Sequence, residues 1–329
     1  MKKLYAPVIT AIALSAPLAA MADSTTLYGN LRYSVNSVDD VGGSGLDGMT
    51  ATDNVSLFGL KGSYGEEVKA IFHLQTGANA DAGTAFSQRF YYGGLEGAFG
   101  QVRYGRMSNT YKMPGFKLDP FYNTAHIDAG ASFSAAGANY GLSPATNGFT
   151  DNSIEYTSPK LGDMVTVDVG IYLDDTNEDE HGTALGLDYN DGAINAGVRL
   201  ASQGESVTIP GIFADGDATR IYGGYKGAGY SVAASYETVN YLSDEDTTYL
   251  YLTGTYALND KTDLTASIGT VDDGTPADEG TGITVAVFNT ITTNTKVFAL
   301  YSQASLDATG AEDASTFSIG AFHDFSLTK

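Results

Sequence analysis

The chain has 329 residues and a formal net charge of −22 at pH 7, because 39 Asp and Glu outnumber 17 Lys and Arg. This excess of acid leaves no basic surface for a phosphate backbone, so nucleic acid is excluded as a partner. The chain contains no cysteine, which excludes disulfides and thiolate metal ligands. Its four histidines are too far apart in sequence for a zinc site, and no cofactor motif is present, so we expect neither metal nor cofactor.

The N-terminus has the pattern of an export signal. Lysines at positions 2 and 3 precede a largely apolar stretch, and Ala20-Met21-Ala22 fits the A-x-A pattern of a cleavage site. We therefore predict a signal peptide at residues 1–22 and a single mature domain at residues 23–329. An uncleaved anchor is the alternative, although two prolines interrupt the stretch. No later apolar run approaches the roughly 20 residues of a membrane helix, so a membrane-spanning domain would have to use strands.

From residue 25 to residue 325, apolar and polar or small residues alternate in segments of about ten, as in membrane barrels. In residues 164–172, Val165, Val167, Val169 and Ile171 share one face, and Asp168 lies on the other. Side chains of a strand point alternately to its two faces. Each segment therefore predicts a strand with one apolar and one polar face.

The connections between these segments alternate in length. Short turns rich in Gly, Asn and Asp, such as residues 190–192 and 227–229, alternate with longer acidic links such as residues 203–217. This pattern is typical of an up-and-down antiparallel β-barrel, and the chain length suits about sixteen strands. Aromatic residues near the segment ends suit the girdles of a barrel in lipid: Tyr28, Tyr33, Phe58, Tyr64, Phe90, Tyr104, Tyr156 and Tyr256. A soluble, secreted all-β adhesion or binding protein would share the alternation and is the alternative.

Six segments together resemble strands of the general Gram-negative trimeric porins in order and spacing. They are residues 23–30, 56–62, 88–95, 99–106, 152–159 and 317–325. The resemblance implies an all-β, sixteen-stranded transmembrane barrel in the outer membrane. It also implies a homotrimer and passive diffusion of ions and small hydrophilic solutes. One departure is that Phe325 is followed by four residues, whereas the family's terminal aromatic normally ends the chain.

The resemblance further implies that the third long loop, between strands 5 and 6, folds into the barrel as a constriction. Residues 109–151 form the longest link and stand at that place. A long link without secondary structure usually signals function or disorder, and a disordered insertion is the alternative. The charged residues of this segment are Lys112, Lys117, Asp119, Asp128 and Asp151.

Strand parity predicts which other charges face the pore. Arg32 lies opposite Leu31 and Tyr33, and Arg89 lies opposite Phe90 and Tyr92, which are therefore assigned to the lipid face. Arg106 has the apolar parity, but it stands at a strand end where a bulge or the loop can redirect it. The predicted pore residues are Arg32, Lys61, Arg89, Arg103, Arg106, Lys112, Lys117, Asp119, Asp128, Asp151 and Glu155.

Leu57 and Asp151 stand where the resemblance places two arginines of the family's basic cluster. The loss of positive charge predicts weak cation selectivity. A channel specific for sugar or phosphate is an alternative within the barrel class. No motif pairs a nucleophile with a base, so an enzyme is not expected. The acidic long links, such as residues 174–180, could bind lipopolysaccharide through shared divalent cations, or could simply be a solvated surface.

Overall fold

The computed structural model describes residues 24–40, 48–78, 86–124, 141–146, 148–174, 180–206, 208–212, 214–240, 246–272, 274, 279–307 and 313–329. The predicted signal peptide and Asp128 lie outside the described residues.

Sixteen barrel strands account for most of the described chain. They are β1 (Ser24–Asp40), β2 (Gly48–Asp53 and Leu57–Tyr64), β3 (Val68–Gly77), β4 (Ser87–Gly97), β5 (Gly100–Met107), β6 (Thr150–Thr157), β7 (Val165–Tyr172), β8 (Gly182–Asn190), β9 (Ile194–Ser202), β10 (Asp217–Gly227), β11 (Tyr230–Asn240), β12 (Asp246–Asn259), β13 (Thr262–Asp272), β14 (Gly280–Thr292), β15 (Thr295–Leu306) and β16 (Ala314–Thr328). Helix α1 (Lys112–Leu118) and a 3₁₀ turn (Pro144–Thr146) lie between β5 and β6.

The strands form one closed antiparallel sheet in sequence order. Strand β1 pairs with β2 on one side and with β16 on the other, so that Leu27 lies opposite both Leu60 and Leu327. The two segments of β2 pair with successive parts of β1 and count as one interrupted strand. Closure leaves none of the described strands at an unpaired sheet edge, as a strand-built structure in hydrocarbon requires. The predicted up-and-down barrel is confirmed.

The apolar faces of the strands point outward. In β1, Leu31 and Val35 are 44% and 52% exposed, whereas Ser34 and Asn36 between and beside them are 4% and 2% exposed. Other strands follow the same rule, with Leu200 exposed beside the buried Arg199 in β9. An apolar belt around a polar interior is the inverse of a water-soluble protein and matches a barrel in lipid. The soluble alternative is therefore not supported.

Short turns join the strands at one end of the barrel, where both termini of the described chain also meet. At the β8–β9 turn, Asp191 Oδ1 accepts hydrogen bonds from the backbone N–H groups of Ala193 and Ile194, at 2.9 and 2.7 Å. The N–H of Thr25 donates to the carbonyl of Lys329 at 3.1 Å. The residues after Phe325 continue β16, so the unusual tail lengthens the last strand.

No helix among the residues that the structure describes is long and apolar enough to cross a membrane.

Candidate functional site

The segment between β5 and β6 contacts the far wall of the barrel. The hydroxyl of Tyr111, next to α1, donates to Glu237 Oε1 on β11 at 2.7 Å. Ser143, from the second described part of the segment, donates to the same carboxylate through its backbone N–H at 3.1 Å and its hydroxyl at 2.5 Å. Two described parts of the segment, residues 109–124 and 141–146, therefore contact the same side chain of the opposite wall.

Glu237 forms a buried ion pair with Arg220 on the neighbouring strand β10. Both side chains are fully buried, and Arg220 Nη2 lies 2.8 Å from Glu237 Oε1. Arg220 also donates to the carbonyl of Tyr111 at 3.1 Å and to Thr146 Oγ1 at 2.8 Å. The guanidinium thus binds the same two parts of the segment as the carboxylate, so the pair joins them to the wall. We call this arrangement the Arg220–Glu237 anchor.

A second attachment lies near the start of the segment. The hydroxyl of Tyr172 on β7 accepts a hydrogen bond from the N–H of Thr110 at 2.8 Å and donates to Glu155 at 3.2 Å. Glu155 on β6 is 1% exposed and is paired with Arg103 on β5 at 2.7 Å. Two predicted pore residues are therefore brought together, and Tyr172 links them to the segment.

A third attachment follows α1. Phe121 is fully buried and packs against Phe288 on β14, with 6.3 Å between ring centroids, in a cluster with Phe298 and Leu300. Asp119 Oδ1 accepts the N–H of Phe121 at 2.8 Å and the hydroxyl of Tyr251 at 3.2 Å. Asp119 is only 7% exposed, so its carboxylate is turned to the wall.

Three cations surround the ring of Phe149, which ends the segment. The guanidinium carbons of Arg89 and Arg106 lie 4.8 and 5.5 Å from the ring centroid, and Lys112 Nζ lies 4.7 Å from it. Lys112 Nζ also donates to the carbonyl of Gly148 at 2.8 Å. Burial, with Arg89 nearby, lowers the pKa of Lys112 to about 7.

A bulge brings Arg106 into this cluster. The β5–β6 register shifts between Gly105 and Met107. Gly105 has φ +136°, and a Cβ there would lie 2.3 Å from the carbonyl oxygen of Tyr91, so the position requires glycine. Arg106 Nη1 contacts Asp151 Oδ2 at 2.7 Å. The register shift sets two β6 residues, Asp151 and Asn152, opposite Arg106, so a bulge lies beside Arg106, one of the two causes that could redirect its side chain.

The assignment of Phe90 and Tyr92 on β4 to the lipid face is wrong, whereas Arg89 does face the interior. The β3–β4 register shifts between Leu74 and Thr76, and an extra residue on β4 turns both Arg89 and Phe90 inward. Arg89 Nε donates to Gln75 Oε1 at 2.8 Å, and Phe90 stacks on His73 at 4.6 Å. Tyr91 and Leu95 take the outward positions instead of Phe90 and Tyr92.

Tyr28 likewise does not belong to an outer girdle. Its hydroxyl accepts the Gln75 amide at 2.7 Å and also contacts His73, and the Lys61 ammonium lies 5.3 Å from its ring centroid.

The remaining predicted residues lie along the wall and at the segment. The guanidinium carbon of Arg32 on β1 lies 5.2 Å from the ring centroid of Phe322, and its Nη2 lies 3.8 Å from Asp324 Oδ1. Lys117, in the last turn of α1, is exposed, and so is Asp151 at the start of β6.

Three residues of the site are absent from the predicted pore residues: Glu237, Phe149 and Tyr122. Glu237 was not selected, although its inward parity on β11 follows from the exposed Tyr236 beside it. Phe149 and Tyr122 carry no charge and stand in a segment without periodicity, so a search for charged residues passed over them. Partial burial of Tyr122 raises the pKa of its hydroxyl, and the hydrogen bond to Arg89 opposes that rise.

The closed barrel, its outward apolar belt and its charged interior define a membrane-spanning β-barrel of the channel-forming kind. The chain belongs to the Gram-negative porin family, whose model matches residues 9–327. It is an outer-membrane protein of that family.

Similar proteins support this assignment. The major outer membrane protein P.IB of Neisseria meningitidis serogroup B is 36% identical over 117 residues, which cover 32% of this chain and 35% of the relative. The match thus spans about a third of the curated relatives' length. An anion-selective porin from Comamonas acidovorans has a TM-score of 0.74 at 20% identity and covers 92% of this chain and 100% of its own. The trimer form of OmpT from Vibrio cholerae has a TM-score of 0.65 at 18% identity and covers 92% and 99%.

Proposed function

We propose that this protein is a porin that forms a water-filled channel for passive diffusion of ions and small hydrophilic solutes across the outer membrane. The observation that carries the proposal is the inverted arrangement of the wall, with apolar side chains outside and charged side chains inside. Charged side chains are costly to bury among packed apolar side chains, so the inward-facing Arg103, Glu155 and Arg199 argue against a barrel with an apolar interior. Family membership supports the same function.

The segment of residues 109–151 is proposed as the constriction. Its described parts attach to β7, to the Arg220–Glu237 anchor and to the Phe288 cluster, which are spread around the wall. A segment fixed at such separate places crosses the interior and narrows the passage beside it. The charges left facing the passage then determine which ions pass.

We also propose that the channel is weakly cation-selective and that this selectivity depends on the salt concentration. The net charge of −22 and the acidic long links favour cations at the mouth. The cluster of Arg89, Arg106 and Lys112 around Phe149 opposes this preference inside. Exposed carboxylates are screened over a Debye length of about 8 Å at physiological salt, whereas buried charges are screened less. We therefore expect the cation preference to fall as salt rises.

We also propose that the functional unit is a homotrimer, which the trimer form of OmpT supports by structural likeness. Binding of lipopolysaccharide through divalent cations stays a prediction.

The test is conductance of the refolded protein in planar lipid bilayers, with reversal potentials under KCl gradients at low and high mean salt. Stepwise conductance in groups of three and a cation-selective potential that weakens with salt are expected. An anion-selective potential at low salt would overturn the selectivity, and folded protein without conductance would overturn the channel. Conductance that saturates with one sugar or with phosphate would favour the substrate-specific alternative.

A further inference from the structure

A cavity of about 210 Å³ lies between the wall of β1–β4 and the segment that carries α1 and Phe149. Three cations line it: Arg32, Arg89 and Lys112. Among the described residues that line it there is no Asp or Glu, in a chain where acidic residues outnumber basic ones by more than two to one. The cavity is therefore a basic compartment of an acidic protein.

Much of the remaining lining is aromatic or aliphatic, beside four uncharged polar residues. Phe90, Tyr122 and Phe149 present aromatic rings to the cavity, and Leu57 adds an aliphatic side chain that is 9% exposed. Leu57 stands where the family resemblance would place an arginine. Compared with an arginine, Leu57 carries no charge and offers an apolar surface that favours contact with an apolar solute.

The cations are held in place before any solute arrives. Arg89 Nε is fixed by Gln75 Oε1 at 2.8 Å, and its guanidinium lies against Phe149 at 4.8 Å. Lys112 Nζ is held by the carbonyl of Gly148 at 2.8 Å, and Arg32 lies over Phe322 at 5.2 Å. Charged groups that are already oriented lose little further freedom when they bind, which favours recognition of a small anion.

We propose that this cavity binds small carboxylates with a flat apolar body, that is, aromatic carboxylates, during their passage. The carboxylate pairs with the guanidinium groups, which offer parallel N–H donors, and the ring packs against the aromatic side chains and Leu57. The volume has room for about seven waters at roughly 30 Å³ each, and so for one such solute. The inference rests on the proposed channel function and names a class of solute for it.

The probe is benzoate, added to single wild-type channels conducting KCl. Benzoate is expected to reduce the KCl current with a saturating concentration dependence. Acetate has the same charge without the ring, and benzylammonium has the ring with the opposite charge. Neither is expected to reduce the current at the same concentrations.

Variants separate the two parts of the site. Arg89→Gln removes a charge-assisted contact and is expected to weaken the benzoate effect by about tenfold or more. Leu57→Asn removes apolar contact and is expected to weaken the benzoate effect without making acetate effective. Lys226→Gln is the matched control, because Lys226 lines a different cavity near the short-turn end.

The outcomes distinguish this inference from the channel proposal. Equal effects of acetate and benzoate would reduce the site to simple attraction of anions and overturn the inference. So would an Arg89→Gln channel with wild-type sensitivity to benzoate, or normal KCl conductance with no saturating benzoate effect. Folded protein that conducts no KCl would instead contradict the channel itself.

Discussion

Replacing Glu237 with alanine should release the segment between β5 and β6 from the far wall. The substitution removes the acceptor of Tyr111, of Ser143 and of Arg220, at distances from 2.5 to 3.1 Å. It also leaves Arg220 as a fully buried cation without its carboxylate. Breaking a buried pair by removing one partner costs about 3–5 kcal/mol.

That cost falls on the attachment of the segment, because the hydrogen bonds of the β10–β11 ladder are made by the backbone. At about 1.4 kcal/mol per factor of ten, the ratio of attached to released segment falls by about a hundredfold to a few thousandfold. A released segment no longer holds one aperture. We expect Glu237→Ala channels to show larger and noisier single-channel currents, and Glu237→Gln, which keeps an amide oxygen as acceptor, to lie between it and the wild type.

The assay is single-channel recording in KCl, with heat-induced unfolding in detergent as a check on the barrel. Glu96→Gln is the control, because Glu96 is exposed near a short turn, where its carboxylate accepts a hydrogen bond from the Gln101 amide. Its currents should equal those of the wild type. Glu237→Ala channels with unchanged conductance and noise, from protein that is fully folded, would refute the anchoring role.

Three further predictions concern the same segment and its surroundings. Because the pKa of Lys112 is lowered to about 7, raising the pH from 6 to 8 removes a positive charge and should shift the reversal potential toward cations; Lys112→Met should abolish that shift. Phe121→Ala should cost about 3–5 kcal/mol of segment docking and increase current noise, with heat resistance of the barrel retained. Gly105→Ala should strain the β5 backbone beside the β6 bulge by about 1–3 kcal/mol and lower the unfolding temperature more than Gly93→Ala, where a Cβ meets no atom closer than 3.7 Å.

The alternation of side chains predicted most of the barrel. In residues 164–172 the valines and Ile171 were assigned to one face and Asp168 to the other, and the structure exposes Val169 and Ile171 outside while Asp168 pairs with Arg199 inside. The short turns were predicted equally well, since Gly, Asn and Asp mark them by their own backbone preferences. Signals of this kind are local and can be read from neighbouring residues.

The errors arose where the chain departs from strict period two. The extra residue of β4, opposite Gln75 on β3, leaves no mark in the sequence. Strand parity therefore assigns Phe90 and Tyr92 to lipid, although both rings contact His73. The Tyr111–Glu237 contact joins residues 126 positions apart, and nothing near either residue indicates the other. Such contacts depend on where the closed barrel brings distant strands, which a linear pattern does not encode.

The two departures from strict alternation lie next to the cluster of cations around Phe149. The register shifts that place an extra residue on β4 and on β6 both lie beside a cation at the ring of Phe149, Arg89 on β4 and Arg106 opposite the β6 bulge. Each bulge sets two neighbouring residues opposite one: Arg89 and Phe90 on β4, and Asp151 and Asn152 on β6. In a regular strand, one side chain of each pair would point outward into lipid, where a charge is costly. The bulges thus concentrate positive charge at one place in a chain whose total charge is strongly negative. The proposed ion preference at the mouth and the proposed solute preference within the passage thus rest on different residues, and we expect them to respond differently to salt.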